Sequence, residues 1–191
     1  MLKIHILKNS FSQHKFFFTF LLKFLLFYIV FISIYSLYLH QYDEKKKELD
    51  GFTEMVALHA VKLMGVFTEN VTSKSHPFQP AIQVIYNDVY VARVVEGCNA
   101  ISVMILFAAF IFAFSSKWHK TFLYIIIGII LLHVLNSIRI ALLCFSLFHY
   151  KQYGSFLHGT IFPLFIYGAV FILWILWVTK YSGYVKGSND K

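Results

Sequence analysis

The chain has 191 residues, of which 59% are hydrophobic and 19% aromatic while only 14% are charged, and its mean hydropathy is +0.67. These values exclude an ordinary soluble domain and point to an integral membrane protein. The formal net charge of +8 is not gathered into a basic face interleaved with stacking aromatics, so nucleic acid is excluded as a partner and membrane topology explains the charge better.

Residues 1 to 15 carry Lys3, Lys8 and Lys15 and no acid, a basic cytoplasmic segment. Residues 16 to 39 then form an apolar run long enough to cross about 30 Å of hydrocarbon. Lys23, near its start, can snorkel back to the basic side. No small-residue cleavage site follows, so the run reads as an uncleaved first transmembrane helix rather than a signal peptide.

Residues 40 to 97 change character, holding eight of the nine acids in the chain. Met55, Leu58, Val61, Met64 and Val66 recur at nearly helical spacing and predict an amphipathic helix over Phe52 to Phe67, either lying on the membrane or packing on the rest of this segment. His76-Pro77-Phe78-Gln79-Pro80 ends any helix. Ile82 to Tyr86 and Val89 to Val95 are β-rich, and Asn87-Asp88 between them predicts a tight hairpin turn.

Asn99 to Phe114 gives a short second span, and Ser115 to Lys120 a basic, aromatic-anchored turn. Thr121 to Leu147 is a long third span, Phe148 to Leu157 a polar turn, and Gly159 to Val178 a fourth span. The basic N-terminus, the Lys117 to Lys120 turn and the tail over 179 to 191 fall on one side, which the positive-inside rule makes cytoplasmic. The expected fold is thus an all-α polytopic membrane protein of about four transmembrane helices, with a small extracytoplasmic α+β insertion between the first two. Residues 98 to 178 form its three-helix core.

In this topology Cys98, Arg139 and His158 converge in depth near the outer boundary. Cys98 opens the second span and His158 the fourth, while Arg139 lies eighteen residues into the third, about 27 Å from its inner end. Cys98 taken alone reads first as a small apolar filler of a helix interface, since free cysteine is among the most buried residue types. In the first turn of a helix, however, unpaired N–H groups favour thiolate, with Gly97 letting the backbone turn in. Arg139 can be a snorkelling side chain, but an arginine inside a span usually faces protein or a water cavity, and Asn136 shares its face, with His133 and Ser137 broadening the polar stripe. Together the three supply a nucleophile, an acid or base, and a permanent cation for thiolate or oxyanion.

The chemistry this kit implies is thiolate attack on a peptide carbonyl, with a thioester intermediate and an expelled amine. The nine histidines show no metal-binding spacing, and neither a G-x-S-x-G elbow nor a pair of intramembrane aspartates is present. No metal or cofactor is therefore expected. The two cysteines form no C-x-x-C, which disfavours a thioredoxin-type pair. Two other readings stay open. In one, Cys144 pairs with Cys98 as a disulfide; in the other, the chain is a non-catalytic assembly or transport subunit in which Asn136 and Arg139 glue helices.

Glu-Gly-Cys98-Asn-Ala-Ile after a hairpin, Asn136-Ser-Ile-Arg139 late in the next span, and His158 at the start of the last one together resemble the exosortase/archaeosortase family. Short length and a single leading span look most like its compact exosortase F type. Many members have Cys-Ser-Gly where this chain has Cys98-Asn99-Ala100, and larger members have about twice as many spans. The resemblance implies a membrane cysteine transpeptidase of the bacterial inner membrane, with its active site at the periplasmic face. Its substrates would be exported proteins ending in a short motif, a transmembrane helix and a basic cluster, and the cleaved product would pass to an envelope amine acceptor or to water. Cys98, Arg139 and His158 carry over as catalytic residues, with Asn136 and Glu96 supporting them.

Overall fold

The computed structural model describes residues 15–43, 48–114 and 117–181. The expected basic N-terminal segment before Lys15, the Ser115-Ser116 part of the turn and the tail beyond Tyr181 lie outside the described residues. Helix α1 runs over Lys15–Leu39 and α2 over Gly51–Phe67. Strands β1 (Val71–Ser75), β2 (Ile82–Tyr86) and β3 (Val89–Val94) follow, then a 3₁₀ turn over Glu96–Cys98. Helices α3 (Ile101–Ala113), α4 (Trp118–His149) and α5 (Phe162–Leu176) complete the chain, with 3₁₀, α and π turns leading into α5 and a π turn after it.

Among the described residues, three helical stretches are long and apolar enough to cross a membrane: Phe17–Leu39, Trp118–His149 and Lys151–Tyr181. The second span expected from the sequence is a shorter apolar helix, Ile101–Ala113. The fourth expected span starts earlier than Gly159. The break after α4 is confined to Tyr150, whose backbone has φ −137° and ψ 55°, and helical structure resumes at Lys151. Polar side chains over 150–156 concealed that resumption, because they are exposed rather than incompatible with helix.

The two predicted strands appear at Ile82–Tyr86 and Val89–Val94. Tyr86 pairs with Val89 across a two-residue turn in which Asn87 and Asp88 have φ of 48° and 62°. Positive φ at both central positions is the mirror-image turn that suits the right-handed twist of a hairpin. Asp88→Gly should therefore stabilise the fold by about 0.5 kcal/mol, since glycine takes this conformation without a Cβ penalty. Thermal unfolding of the purified protein in detergent would show it as a raised midpoint. A third strand, β1, was not expected. Its sequence Val-Thr-Ser-Lys-Ser has no apolar alternation, and it is held as an edge strand by pairing Val71 with Tyr86 through Ser75 with Ile82.

Helix α2 starts at Asp50, whose carboxylate accepts from the Thr53 N–H at 2.9 Å, an N-cap that satisfies an otherwise orphaned donor. Its buried face is Thr53, Val56, Ala57, Ala60, Val61 and Met64, packed with Ile82, Val84, Tyr86 and Val94 of the sheet and Ile140, Ala141 and Cys144 of α4. The packing reading of this helix thus holds on that face. Val61 and Met64 are inside, but Met55, Leu58 and Val66 face outward. Small residues at 57 and 60 allow the close approach to α4, and a pattern read only from large apolar residues picked the neighbouring stripe.

A second core joins Met104, Phe107, Ala108 and Ile111 of α3 to Ile125 and Leu132 of α4, Val170 of α5 and Trp177 after it. Ala100 belongs to this cluster, whereas Cys98 packs against the first. The Cys98 turn is the seam between a membrane-type helix bundle and the small sheet domain.

Candidate active site

Cys98 closes the 3₁₀ turn, its N–H donating to the Val95 carbonyl at 2.8 Å, and the Asn99 N–H donates to the Glu96 carbonyl at 3.1 Å. Ala100 then adopts a left-handed conformation, φ 61° and ψ 14°, before α3 begins at Ile101. This corrects two expectations. Cys98 lies before the helix rather than in its first turn, and the N–H of Ile101 is occupied by the Asn99 Oδ1 at 2.9 Å. The residue that takes positive φ is Ala100, not Gly97. A non-glycine residue there costs on the order of 1 kcal/mol and persists only where its surroundings enforce it, here by burial of Ala100 among the α3 core residues.

Asn136 is fully buried on α4. Its Nδ2 donates to the Cys98 carbonyl at 2.8 Å, and its Oδ1 accepts from the Arg139 Nη1 at 3.1 Å. One amide thereby fastens the backbone of Cys98 and aligns the guanidinium one turn along α4. Arg139 lies within electrostatic reach of Cys98 and of Tyr167 on α5. Its Nε is buried without a hydrogen-bond partner among the described residues, so this cation has bonding capacity left. Cys98 is partly exposed, Cys144 is buried in the same apolar cluster, and both are free thiols.

His158 stands on the π turn Leu157–Ile161, where the N–H of Phe162 donates to the Leu157 carbonyl. Pro163, next in sequence, has no N–H to continue an α-type ladder, which accounts for the widened turn at this point. The imidazole is exposed and makes no side-chain hydrogen bond among the described residues. The structure thus joins Cys98, Asn136 and Arg139 by hydrogen bonds and does not bond His158 to them. The polar stripe on α4 divides: Asn136 faces the cysteine, the His133 Nε2 meets the His59 Nδ1 of α2 at 2.8 Å, and the Ser137 hydroxyl returns to its own helix at the His133 carbonyl.

Glu96 accepts from the Tyr35 hydroxyl of α1 at 2.8 Å. Sequence reasoning gave no part to Tyr35, Asn99, Thr53 or Asp50, which nevertheless form a buried polar group beside the cysteine. Among the described residues no set of three or more His, Cys, Asp or Glu side chains is arranged to hold a metal ion.

The family model described as transmembrane exosortase matches residues 12–179, a range that contains every residue of this site. The chain belongs to the transmembrane exosortase family. No curated protein and no solved structure matches it. Exosortases are membrane cysteine transpeptidases, and this exosortase holds its cysteine against an asparagine–arginine pair at the seam of its two cores.

Proposed function

We propose that this exosortase cleaves the C-terminal sorting signals of exported proteins through a thioester on Cys98. The reading rests on one observation: Asn136 ties the Cys98 backbone and the Arg139 guanidinium into a single hydrogen-bonded unit. In the first step the Cys98 sulfur bonds to the carbonyl carbon of the scissile peptide, and the carbonyl electrons move onto oxygen. Arg139, always charged and with its Nε unpaired, stabilises the anionic sulfur before attack and the oxyanion after it. As the thiolate forms, His158 takes the thiol proton; collapse breaks the C–N bond, and His158 returns that proton to the nitrogen so that the amine departs. Water or an envelope amine then attacks the thioester and returns the sulfur as the leaving group.

In this reading α3 completes four membrane crossings. Lysines at 117 and 120 and in the terminal segments face the cytoplasm, and the site opens on the periplasmic side of the inner membrane. The substrate brings a short motif, one transmembrane helix and a basic cluster.

The experiment is to trap the intermediate. Purified protein in detergent is mixed with a reporter bearing a cognate tail and quenched in acid. An adduct of the enzyme with the N-terminal substrate fragment, located on Cys98 and released by hydroxylamine, is the expected product. A cognate tail that binds but is never cleaved and forms no adduct would move the protein to the class of non-catalytic assembly subunits.

A further inference from the structure

The first span carries a polar side chain that a mere anchor does not need. Tyr35 is only 8% exposed, and its ring stacks on Tyr38 with centroids 6.2 Å apart. Its hydroxyl donates to the Glu96 Oε1 at 2.8 Å and accepts from the Asn99 Nδ2 at 2.8 Å. The same Nδ2 donates to the Thr53 Oγ1 at 3.0 Å, and the Thr53 hydroxyl donates to the Asp50 Oδ2 at 2.6 Å.

Proton directions in this chain are fixed by donor supply. Tyr35 has one hydroxyl proton and gives it to the Glu96 carboxylate. Its oxygen therefore accepts from Asn99, whose two amide protons go to Tyr35 and Thr53. Thr53 gives its one proton to Asp50. Every donor is used once, and the circuit ends at both sides on carboxylates, where such bonds are strongest. Buried networks that are fully satisfied in this way rigidify what they hold.

What this network holds is the turn of the nucleophile. Glu96 lies two residues before Cys98 and Asn99 one residue after it, and a single hydroxyl bonds to both. Asn99 also caps α3 through Ile101, while Asn136 takes the Cys98 carbonyl from α4. The turn is therefore pinned by α1 and by α4, and the placement of the Cys98 backbone depends on both.

We propose that Tyr35 is a positioning residue for Cys98, acting through Glu96 and Asn99, and that the first span is part of the catalytic unit. The inference rests on Cys98 being the nucleophile. Tyr35→Phe removes the hydroxyl and leaves the ring stack. It should lower kcat by about 10- to 100-fold, the cost of a small misplacement of a reacting group, while KM stays within about twofold. Glu96→Gln keeps an acceptor for the tyrosine proton and should retain most of the activity, whereas Glu96→Ala should match Tyr35→Phe. Tyr35→Phe combined with Glu96→Ala should be no slower than either alone, since both open the same link.

Rates are taken per alkylatable Cys98, so a variant that accumulates poorly still reports. A wild-type kcat in Tyr35→Phe, with or without a fall in abundance, overturns the proposal, and so does simple additivity in the double variant. Cys98→Ala, which lacks that thiol and is therefore scored per immunoblotted enzyme, separates the two levels. If it still cleaves, the nucleophile assignment has failed and this inference with it. If it is inactive while Tyr35→Phe is normal, only the role of Tyr35 is wrong.

Discussion

Cys98→Ala leaves a reporter with a cognate sorting tail full length and in the membrane, a loss of more than about 10³-fold in cleavage. Cys98→Ser should do nearly the same, because a serine hydroxyl is a far weaker nucleophile near neutral pH than a thiol with its small thiolate fraction. Abundance should stay normal in both. Cys98 is only partly buried and sits at the edge of its cluster, and the backbone bonds of its turn, to Val95 and from Asn136, do not involve the sulfur. Arg139→Leu in the same assay should fall by about 10²- to 10³-fold, the usual cost of removing a preorganised oxyanion donor. Arg139→Lys should recover part of that loss, keeping the charge but not the planar fork that reaches Asn136. Immunoblots of fractionated cells, scoring reporter size and location against enzyme level, are the measurement. Unchanged processing in Cys98→Ala would remove the cysteine mechanism altogether.

Gly128→Leu should abolish accumulation of the folded protein. A Cβ built at Gly128 of α4 would clash with the Cζ and Cε1 of the Phe107 ring. Phe107 is itself fully buried on α3, so its ring has nowhere to go. Small residues at helix interfaces in membranes permit such backbone approach, and van der Waals contact there is a main source of association. Overpacking by the single methyl of Gly128→Ala should cost about 1–3 kcal/mol, and the larger side chain more. Phe107→Leu, which trims the ring, should restore part of the Gly128→Ala loss, a coupling expected only for residues in contact. Thermal melts in detergent, with abundance in membranes, test both. A normal melt for Gly128→Leu would mean that α3 and α4 do not meet as described.

The parts of this architecture legible in the sequence were those with a strong local signal. Long apolar runs located the helices, and Asn87-Asp88 located the hairpin turn. Arg139 was visible because a charge within a span demands a reason, and Asn136 because it lies one turn away on the same helix. β1 was not legible, because an edge strand of hydroxyls and lysine gets its form from a partner strand rather than from its own pattern. Tyr35 was not legible for a related reason. A tyrosine among many aromatics in an apolar run carries no local mark, and its role comes from residues 61 and 64 positions away. The placement of Cys98 inside a helix failed because Ala100 takes a conformation that its residue type does not advertise. His158 was legible as the polar residue at the entry to the last helix, and among the described residues it makes no hydrogen bond to the cysteine.

Helix α3 has 13 residues, a rise of about 20 Å, against a hydrocarbon layer of about 30 Å. In the four-crossing topology proposed above, a helix this short spans the lipid only where the bilayer thins around it or where its outer end stops below the headgroups. In the second of these arrangements Cys98, the proposed nucleophile just beyond that end, is recessed in the bilayer rather than level with its surface. Under the proposed function, a peptide bond would have to dip into the membrane to reach it, and a substrate tethered by its own transmembrane helix is the kind that presents its backbone at that depth.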